Sequence, residues 1–421
     1  MTRIVTVERL GGRGRGVAHV DGVPCFVQGA LPGETVELGE TVARRGVLEA
    51  RAVRILGDPH PARDPDPCPL AGRCGGCDWS HVRPEAGAAL KREVAAAAAR
   101  SHPEAAARLA AAPAVPSPLR YRLRVRLHWD PETARLGFYR RRSWEVVPAA
   151  ACRLLSPRLA AALGQLAELL AAHVPVRADL EWLEDLEGRT AVAALRPGRT
   201  GPERLPEAVV PPPEAVRGLA DGWHLLDPAG RRCAGWGADG VTMALPVPLA
   251  VPSGAFFQVN RHLVPVLFGR IAALAAPGEV PAWDLHAGVG LLAAAALTAG
   301  CGPLTLVEPF RPAALAARRN LPGARVVAGR TAEAYLARHR RLPSRALAMT
   351  DPPRAGMSPR LRHQLAGWHP DRILAQACDA ATWARDVAFL VEHGYSLAGV
   401  ELFDLFPWTS HVEVLSLLEA G

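Results

Sequence analysis

Lysine is almost absent from this 421-residue chain. Of its 49 lysines and arginines, Lys91 is the only lysine. Arginine pairs with phosphate through a planar fork of donors and stacks on nucleobases better than lysine does. With a formal net charge of +8 and a pI near 9.4, the composition favours a polyanionic partner. Because an excess of alanine and arginine is also typical of a GC-rich genome, nucleic-acid binding and coding bias explain the charge equally well.

Long apolar segments are also missing. The N-terminal sequence MTRIVTVERLGG has no apolar signal-peptide core. The longest apolar stretch, from about Gly288 to Cys301, is too short and too interrupted by glycine to span a bilayer. We therefore expect a cytoplasmic protein without a membrane segment, whose eight cysteines do not form structural disulfides.

Residues 1–56 contain short apolar runs separated by glycine and proline, a pattern that predicts a small β-barrel. The segment GRGRGVAHVDGVPCFVQGALPGETVEL resembles the TRAM domain, an OB-like RNA-binding module. Arg13 and Arg15 in its glycine-rich turn are candidates for phosphate contacts. For either arginine alone, an ordinary solvated turn is the simpler interpretation.

Three cysteines follow in a loop rich in proline and aspartate, spaced C-x5-C-x2-C at Cys68, Cys74 and Cys77. Closely spaced thiolates in a cytosolic chain indicate a metal or a cluster. The spacing fits a four-thiolate iron–sulfur cluster better than zinc. Cys152 is the best fourth ligand, since the apolar surroundings of the remaining candidates Cys25, Cys233 and Cys301 suit buried structural thiols. A zinc site completed by His81 remains the alternative.

The middle of the chain divides into two parts. Residues 83–112 are alanine-rich and predict one or two helices, broken near residues 101–103, that pack on the C-terminal domain. Residues 57–82 and 113–250 form a central, mostly β domain that carries the cysteine loop. In YRLRVRLHWD, apolar residues alternate with arginines, so one face of this strand is either solvated or lies against a polyanion.

A hairpin in the central domain combines basic and aromatic side chains. The sequence LGFYRRRSWEVV places Arg140, Arg141 and Arg142 among Phe138, Tyr139 and Trp144. Single-stranded RNA binds where bases stack on aromatic rings and arginines pair with phosphates. RNA binding and a plain surface strand are equally good interpretations of this segment.

Residues 251–421 alternate strands and helices, as in a doubly wound α/β sheet. Gly288 and Gly290 follow an apolar strand, and Glu308 ends the next strand, which is the pattern of a nucleoside site in which the acid holds the ribose hydroxyls. Ala293 stands where the dinucleotide fingerprint needs a glycine, which favours S-adenosylmethionine over NAD. Asp351, in the sequence DPPR, ends a further strand near the same crevice.

Taken in order, the motifs FFQVN, DLHAGVG, VEP, DPPRAG, ACDAATWARD and GYSLAGVELFDLFPWTSHVE resemble the RNA uracil-5 methyltransferase family. With the TRAM-like start and the C-x5-C-x2-C loop, the chain is most similar to the cluster-bearing enzymes that act on bacterial 23S ribosomal RNA. The resemblance implies a multi-domain protein: an OB-like TRAM barrel, a mostly β RNA-binding domain with an iron–sulfur loop, and a Rossmann-like class I methyltransferase domain at 251–421.

The resemblance also implies roles for individual residues. Cys378 corresponds to the nucleophile and Glu413 to the base. The positions that bind S-adenosylmethionine are Gln258, His286, Glu308 and Asp351. The four ligands of a [4Fe–4S] cluster are Cys68, Cys74, Cys77 and Cys152. We expect a monomer that methylates ribosomal RNA, with transfer RNA as the alternative substrate.

Several positions depart from the family pattern. The motif S-C-N-P reads Ala377-Cys378-Asp379-Ala380 here, and an acid next to the thiol is expected to oppose thiolate formation. Leu291 replaces an asparagine, His286 an aromatic residue and Arg330 an acidic one. These departures leave open a catalytically weakened RNA-binding or ribosome-assembly protein with the same fold. The cysteine cluster leaves open an iron–sulfur redox protein.

Overall fold

The computed structural model describes residues 3–275, 280–339 and 345–421, so Met1 and Thr2 of the predicted first domain lie outside it. Among these residues no helix combines the length and the apolar character needed to cross a lipid bilayer. The fold has three sheet-based parts, joined by a pair of helices and a small hairpin.

The N-terminal part is one seven-stranded sheet with the order β1-β5-β7-β4-β3-β2, and β6 pairs with β7. Its apolar side encloses a core of small and branched side chains that includes Val27, Val36 and the buried Cys25. The predicted N-terminal β domain is therefore present. Its strands are β1 (Arg3–Thr6), β2 (Arg9–Leu10), β3 (Gly16–Val20), β4 (Val23–Gln28), β5 (Thr35–Leu38), β6 (Val42–Arg44) and β7 (Val47–Leu56).

The alanine-rich segment forms helices α1 (Pro84–Ala98) and α2 (Pro103–Ala111), with the break between them where the sequence predicts it. Both begin with proline, whose missing N–H is not needed in the first turn of a helix. Ala95 and Leu109 are buried in a core shared with the C-terminal sheet, so the two helices pack on that part of the molecule. The short strand β8 (Ala114–Val115) follows and joins the edge of the C-terminal sheet.

The central part is a seven-stranded sheet with the order β11-β10-β9-β12-β13-β14-β15. The predicted alternation in β9 is confirmed, since Val125, Leu127 and Trp129 are buried on its inner face. The elements are β9 (Arg124–Asp130), β10 (Arg135–Tyr139), β11 (Val146–Pro148), α3 (Pro157–His173), β12 (Ala178–Glu184), β13 (Ala191–Pro197), α4 (Pro213–Val216), β14 (Gly222–Leu226) and β15 (Arg232–Gly237). A separate hairpin consists of β16 (Gly240–Met243) and β17 (Leu249–Pro252).

The C-terminal part is an eight-stranded sheet with the order β20-β19-β18-β21-β22-β24-β23-β8 and helices on its faces. Its remaining strands are β18 (Ala282–Asp284), β19 (Leu304–Glu308), β20 (Arg325–Ala328), β21 (Leu347–Thr350), β22 (Arg372–Ala377), β23 (Tyr395–Phe403) and β24 (Glu413–Ala420). Its helices are α5 (Val264–Leu274), α6 (Leu291–Thr298), α7 (Arg311–Asn320), α8 (Ala332–Leu336), α9 (Pro359–Trp368) and α10 (Ala380–Glu392).

Strands β18 to β22 pair in parallel, whereas β24 is antiparallel to β22 and β23. The strand order reverses direction between β18 and β21, and ligands of open α/β sheets bind outside the carboxyl ends of the strands at such a point. The fold therefore places the candidate site at that edge.

Candidate active site

The sequence-predicted residues of the C-terminal part meet at one edge of its sheet. Glu308 ends β19, Asp351 follows β21 and Cys378 follows β22. His286 lies two residues after β18. Glu413 reaches the same edge from the other direction. It is the first residue of β24, which runs antiparallel to β22 and therefore begins where β22 ends. The topology therefore gathers a thiol, a histidine and three carboxyl groups around one crevice.

Cys378 and Glu413 also share one face of the sheet. Side chains on a strand alternate between faces, so Gln376 and Cys378 point to the same side. Gln376 pairs with Leu415 across to β24, which places Glu413, two residues earlier, on that side as well. The Gln376 Nε2 donates a hydrogen bond to Glu413 Oε1 at 3.1 Å, and both side chains are buried.

Gln376 is a site residue that the motif comparison missed. The available signal was its position, two residues before Cys378 on a strand that is otherwise apolar, where a polar side chain has to find a partner. Its Nε2 is used by Glu413, but its Oε1 is buried and has no hydrogen-bond partner among the described residues. A buried amide that is only half satisfied beside the thiol marks a place for a donor from a bound molecule.

The electrostatics of the crevice oppose ionisation of the thiol. Burial, then the Glu413 and Asp351 carboxylates, raise the pKa of Cys378 to about 11. Burial raises the pKa of Asp351 to about 7, and burial together with Asp351 raises the pKa of Glu413 well above its usual range. The hydrogen bond from Gln376 acts against this rise, because it stabilises the Glu413 carboxylate.

Asp379, the acidic departure next to the thiol, caps a helix. Its Oδ1 accepts hydrogen bonds from the backbone N–H groups of Ala381 and Thr382, at 3.1 and 3.0 Å, at the start of α10. Aspartate is among the best N-caps, so this substitution keeps the helix start intact. The carboxylates that raise the pKa of Cys378 are Glu413 and Asp351 instead.

Glu308 and the glycine turn lie together at the part of the crevice where the sequence predicts a nucleoside site. One Glu308 oxygen accepts from the Gly288 N–H at 2.8 Å and the other from the Phe310 N–H at 2.6 Å. Gly290 has a φ of 99°, and a Cβ there would lie 3.0 Å from Leu321 Cδ1. Only glycine fits that turn, which holds the backbone N–H groups against the Glu308 carboxylate.

Gln258 and His286 complete the predicted cofactor positions. The Gln258 Nε2 donates to Asp351 Oδ2 at 3.2 Å, and His286 Nδ1 lies 2.8 Å from Thr350 Oγ1. Burial lowers the pKa of His286 to about 4, so its ring is neutral at pH 7. All four predicted cofactor residues therefore line the same end of the sheet, two of them in direct contact with each other.

Asp284 is a second residue that the sequence comparison missed. It ends β18, is fully buried and accepts from the Ala293 N–H at 3.3 Å, at the start of α6. Burial raises its pKa to about 7. Its position in the sequence, two residues before His286 at a strand end, is the signal that was available.

Four cysteines of the central part surround one pocket. Cys68, Cys74, Cys77 and Cys152 all line it, together with Arg122. Burial raises the pKa of Cys77 to about 12 and also raises that of Cys74 and Cys152, while the Arg122 charge lowers the pKa of all three. Cys152, which is distant in sequence, therefore lines the same pocket as the three loop cysteines.

The positions of the side chains do not by themselves show a metal site in this region. Within the described residues, no group of three or more His, Cys, Asp or Glu side chains, the four cysteines included, is arranged to hold a metal ion. His81, the ligand of the alternative zinc site, lines a neighbouring cleft instead of the cysteine pocket. One prediction was wrong: Cys233 is exposed, whereas Cys25 and Cys301 are buried as expected. Cys233 lies on β15, the edge strand of the central sheet, which explains its exposure.

The cysteine loop is connected to the segment that leads into β24. Asp78 accepts hydrogen bonds from the Ser410 N–H and Oγ, at 2.8 and 2.7 Å. The Trp408 Nε1 donates to the Val82 carbonyl at 3.0 Å. Since Glu413 follows within a few residues, the cysteine loop helps to fix the start of its strand.

Lys91, the sole lysine, supports the same segment from α1. Its ammonium group is fully buried, pairs with Asp404 and donates to the Phe406 carbonyl at 2.9 Å. A buried charge needs such a partner, because leaving it alone in a protein interior is strongly unfavourable. The lysine therefore contributes to the position of residues 404–406 and has no exposed face for RNA.

The arginines of β9 share a carboxylate of the neighbouring strand. Glu181 on β12 pairs with Arg126 at 2.6 Å, with Arg196 at 2.9 Å and with Arg124 at 3.6 Å. One negative charge faces three guanidinium groups here, so this face keeps a net positive charge and both interpretations of the strand stay open. In the adjacent hairpin, Arg140 pairs with Glu145, whereas Arg141 and Arg142 are exposed and have no carboxylate within ion-pair distance among the described residues.

Comparisons with known proteins agree with this architecture. The TRAM domain model matches residues 2–53. The 23S rRNA (uracil(1939)-C(5))-methyltransferase RlmD of Pseudomonas putida is 31% identical over 431 aligned residues, which cover 99% of this chain and 93% of that protein. An RNA methyltransferase of Streptomyces coelicolor, described as uncharacterized, is 33% identical to this chain. The aligned region covers 95% of this chain and 88% of that protein.

A solved structure shares the fold over the whole length. The crystal structure of the Pyrococcus abyssi tRNA (uracil-54, C5)-methyltransferase in complex with S-adenosyl-L-homocysteine has a TM-score of 0.75 to this chain, at 20% sequence identity, and covers 98% of this chain and 99% of its own. The curated relatives add sequence identity above 30% over nearly the same span. The chain is therefore a member of the RNA uracil-C5 methyltransferase family.

Proposed function

We propose that this enzyme methylates C5 of a uridine in 23S ribosomal RNA through a covalent bond between Cys378 and C6 of the base. The observation that carries this proposal is the placement of Cys378 and Glu413 on one face at one edge of the sheet, with Gln376 bonded to Glu413 between them. A nucleophile and a base so placed can act on adjacent carbons of one ring.

The chemistry follows from the poor nucleophilicity of C5. The Cys378 thiolate adds to C6, and the electrons of the C5–C6 double bond move towards the O4 carbonyl, which makes C5 nucleophilic. S-adenosylmethionine, when bound, supplies the methyl group to C5. Glu413 then removes the C5 proton, the double bond re-forms and the S–C6 bond breaks to release Cys378. The target base has to leave its stack to reach the crevice.

The crevice residues fit the cofactor by their donor set. Glu308 has lone pairs left for ribose hydroxyls beyond its two backbone hydrogen bonds. Asp351 and Glu413 lie beside Cys378, and a positively charged sulfur bound there would favour their ionised forms and be stabilised by them. The positive charge of that sulfur would in turn lower the pKa of Cys378 from its raised value, so that thiolate forms mainly when the cofactor is present.

The choice of ribosomal RNA is supported by the curated relatives. The Pseudomonas putida protein is named for 23S rRNA, and its similarity covers the cysteine loop as well as the catalytic part. The neighbour named for transfer RNA shares the fold at only 20% identity. Transfer RNA is accordingly the second candidate substrate.

We also propose that Cys68, Cys74, Cys77 and Cys152 hold a [4Fe–4S] cluster. Four thiols on one pocket match the ligand set of such a cluster, and Arg122 offsets the negative charge of the thiolates. When bound, the cluster would join the 57–82 loop to the central sheet. Iron and acid-labile sulfide in anaerobically purified protein, both lost in Cys152→Ser, would support this role.

The test of the methyltransferase proposal is a map of 5-methyluridine in ribosomal and transfer RNA from cells with and without the protein. A single 23S site that disappears with the protein and with Cys378→Ala supports the proposal. Loss of a site in transfer RNA instead moves the activity to that substrate. If no site changes, the departures Leu291 and Arg330 define a protein that binds RNA without methylating it.

A further inference from the structure

The turn between β10 and β11 forms an open cleft of about 610 Å³ next to the cysteine loop, which we call the hairpin pocket. Its walls include His128, Tyr139, Trp144 and the backbone of Gly75, and its volume is within the range of small-ligand sites, about 300–1,000 Å³. The pocket is formed by the central part, whereas the catalytic crevice lies at the edge of the C-terminal sheet.

Trp144 is the most unusual side chain of the hairpin pocket. Of the ten tryptophans it is the one that is exposed, with 48% of its surface accessible, while seven are buried and two are partly buried. An exposed indole has no role in the core of the protein. It offers a large apolar face with little conformational entropy to lose, which is the property of a stacking platform.

The neighbouring rings hold Trp144 in a defined environment. Tyr139 meets Trp144 edge to face, with ring centroids 5.2 Å apart, and stacks on His128 at 3.7 Å. His128 is fixed in turn by a 2.7 Å hydrogen bond to Asp179. The platform is therefore supported from below by the sheet.

Several arginines around this platform have no carboxylate partner, although Arg140 pairs with Glu145. Arg199 lies over the Trp144 ring at 4.9 Å, and in the described part of the chain neither it nor Arg141 or Arg142 has a carboxylate within ion-pair distance. The arginines of β9 differ in this respect, because Arg124 and Arg126 both pair with Glu181. Arg141 donates one hydrogen bond to the Cys77 carbonyl at 2.9 Å, which keeps its guanidinium next to the pocket. An aromatic face bordered by guanidinium groups without carboxylate partners suits an unpaired nucleotide, which has a flat base and an adjacent phosphate.

The location fits a strand of RNA that leaves the catalytic crevice. The Gly75 N–H donates to the Tyr139 carbonyl at 2.9 Å, so the cysteine loop touches the hairpin. The same loop reaches the segment before Glu413 through Asp78 and Ser410. The cysteine loop thus lies between the hairpin pocket and the catalytic residues.

We infer that the hairpin pocket binds an unpaired nucleotide of the RNA substrate away from the methylated uridine, with the base on Trp144 and the phosphate on Arg141 or Arg142. This inference rests on the proposed action on RNA. It assigns substrate affinity to the hairpin, and it leaves the chemical step to the crevice.

The experiment compares full-length Trp144→Ala, Trp144→Phe and Leu315→Ala proteins. Leu315 on α7 is a matched control, because it is equally exposed at 48%. Fluorescence anisotropy with a labelled single-stranded RNA of mixed sequence gives Kd, and methylation of unmodified ribosomal RNA gives kcat. We expect Trp144→Ala to raise Kd about tenfold, with kcat at saturating RNA unchanged, and Trp144→Phe to retain most of the affinity.

A second measurement locates the contact directly. RNA substituted with 5-iodouridine and irradiated on the protein should cross-link to the peptide that contains Trp144. The double variant Arg141→Ala, Arg142→Ala should bind RNA with a weaker salt dependence than the unchanged protein. The slope of log Kd against log salt should fall by roughly 0.7 for each phosphate contact that is lost.

Several outcomes would overturn the inference. Equal Kd values for Trp144→Ala and Leu315→Ala would do so. Cross-links confined to other surfaces of the protein would do so as well. Failure of the proposed function can be told apart from failure of this inference. RNA binding that depends on Trp144, without any methyl transfer, would refute the proposed methylation but support the hairpin pocket as an RNA site.

Discussion

At the scale of single residues, the proposed nucleophile Cys378 lies in surroundings that disfavour its thiolate. Burial, Glu413 and Asp351 together hold its pKa at about 11 in the protein without ligands. A thiol of this kind is protected from adventitious alkylation and oxidation, since the thiolate is the reactive form. The reactive state then depends on what else enters the crevice.

This environment predicts slow alkylation of Cys378 in the ligand-free protein. Because its pKa is raised, the thiolate fraction at pH 8 is small, and the rate with iodoacetamide should keep rising up to about pH 11. Glu413→Gln removes a nearby negative charge, lowers the pKa of Cys378 and should accelerate alkylation at pH 9. Mass spectrometry of the Cys378 peptide measures the rate, with exposed Cys233 as the internal control. A rate that reaches its plateau below pH 9 would contradict the geometry.

Gln376 should act on the second half of the reaction. Gln376→Leu removes the hydrogen bond that stabilises the Glu413 carboxylate, so the pKa of Glu413 rises further and proton removal slows. Hydrogen bonds to charged groups contribute about 1.5–3 kcal/mol, which corresponds to a fall in kcat of roughly 10- to 100-fold. The pH profile of kcat should move to higher pH, and covalent RNA adduct should accumulate on denaturing gels.

Ser416→Ala is the control for Gln376. Ser416 is buried on β24 and bonds to Trp383 and the Ala375 carbonyl, without touching Glu413. If both variants lose activity equally with unchanged pH profiles, Gln376 supports only packing.

At the scale of elements, the segment between β23 and β24 is supported from two sides. Lys91 on α1 pairs with Asp404 in the interior, and Asp78 of the cysteine loop bonds to Ser410. Neither pair reaches the crevice. Both determine where β24 begins, and therefore where Glu413 lies.

Loss of the buried lysine should destabilise the whole protein. Lys91→Met leaves the Asp404 carboxylate buried without its counter-charge, and breaking a buried pair in this way costs roughly 3–5 kcal/mol of the free energy of unfolding. The double variant Lys91→Met, Asp404→Leu removes both charges and should recover most of the loss. Urea denaturation measures both, and equal stability of the two variants would show that the charge pair is not what the segment needs.

The hydrogen bonds from the cysteine loop should affect catalysis more than RNA binding. Asp78→Ala removes two hydrogen bonds to Ser410, and we expect kcat to fall about tenfold while Kd for RNA changes less than about twofold. Asp66→Ala is the matched control, because Asp66 lies in the same loop and pairs only with Arg153 at the surface. An equal loss of activity in both variants would assign the effect to general loosening of the loop.

At the scale of the whole molecule, periodicity and motif order were enough to predict the three-part architecture. The alternating β9, the broken alanine-rich helices and the α/β strand ends all lie where the sequence places them. Local patterns missed interactions made across long separations. Gln376 meets Glu413 through strand pairing, and the β9 arginines meet Glu181 on β12 in the same way. The exposure of Cys233 likewise depends on which strand lies at the sheet edge.

The central claim is that Cys378 bonds covalently to the uridine that is methylated. Fluorine at C5 cannot leave as a cation, so Glu413 cannot complete the reaction on 5-fluorouridine, and the adduct persists. Unmodified RNA carrying 5-fluorouridine should, with S-adenosylmethionine, give a stable protein–RNA adduct whose digested peptide contains Cys378, and Cys378→Ala should give none. Methyl transfer by Cys378→Ala, or an adduct mapped to another residue, would contradict the account.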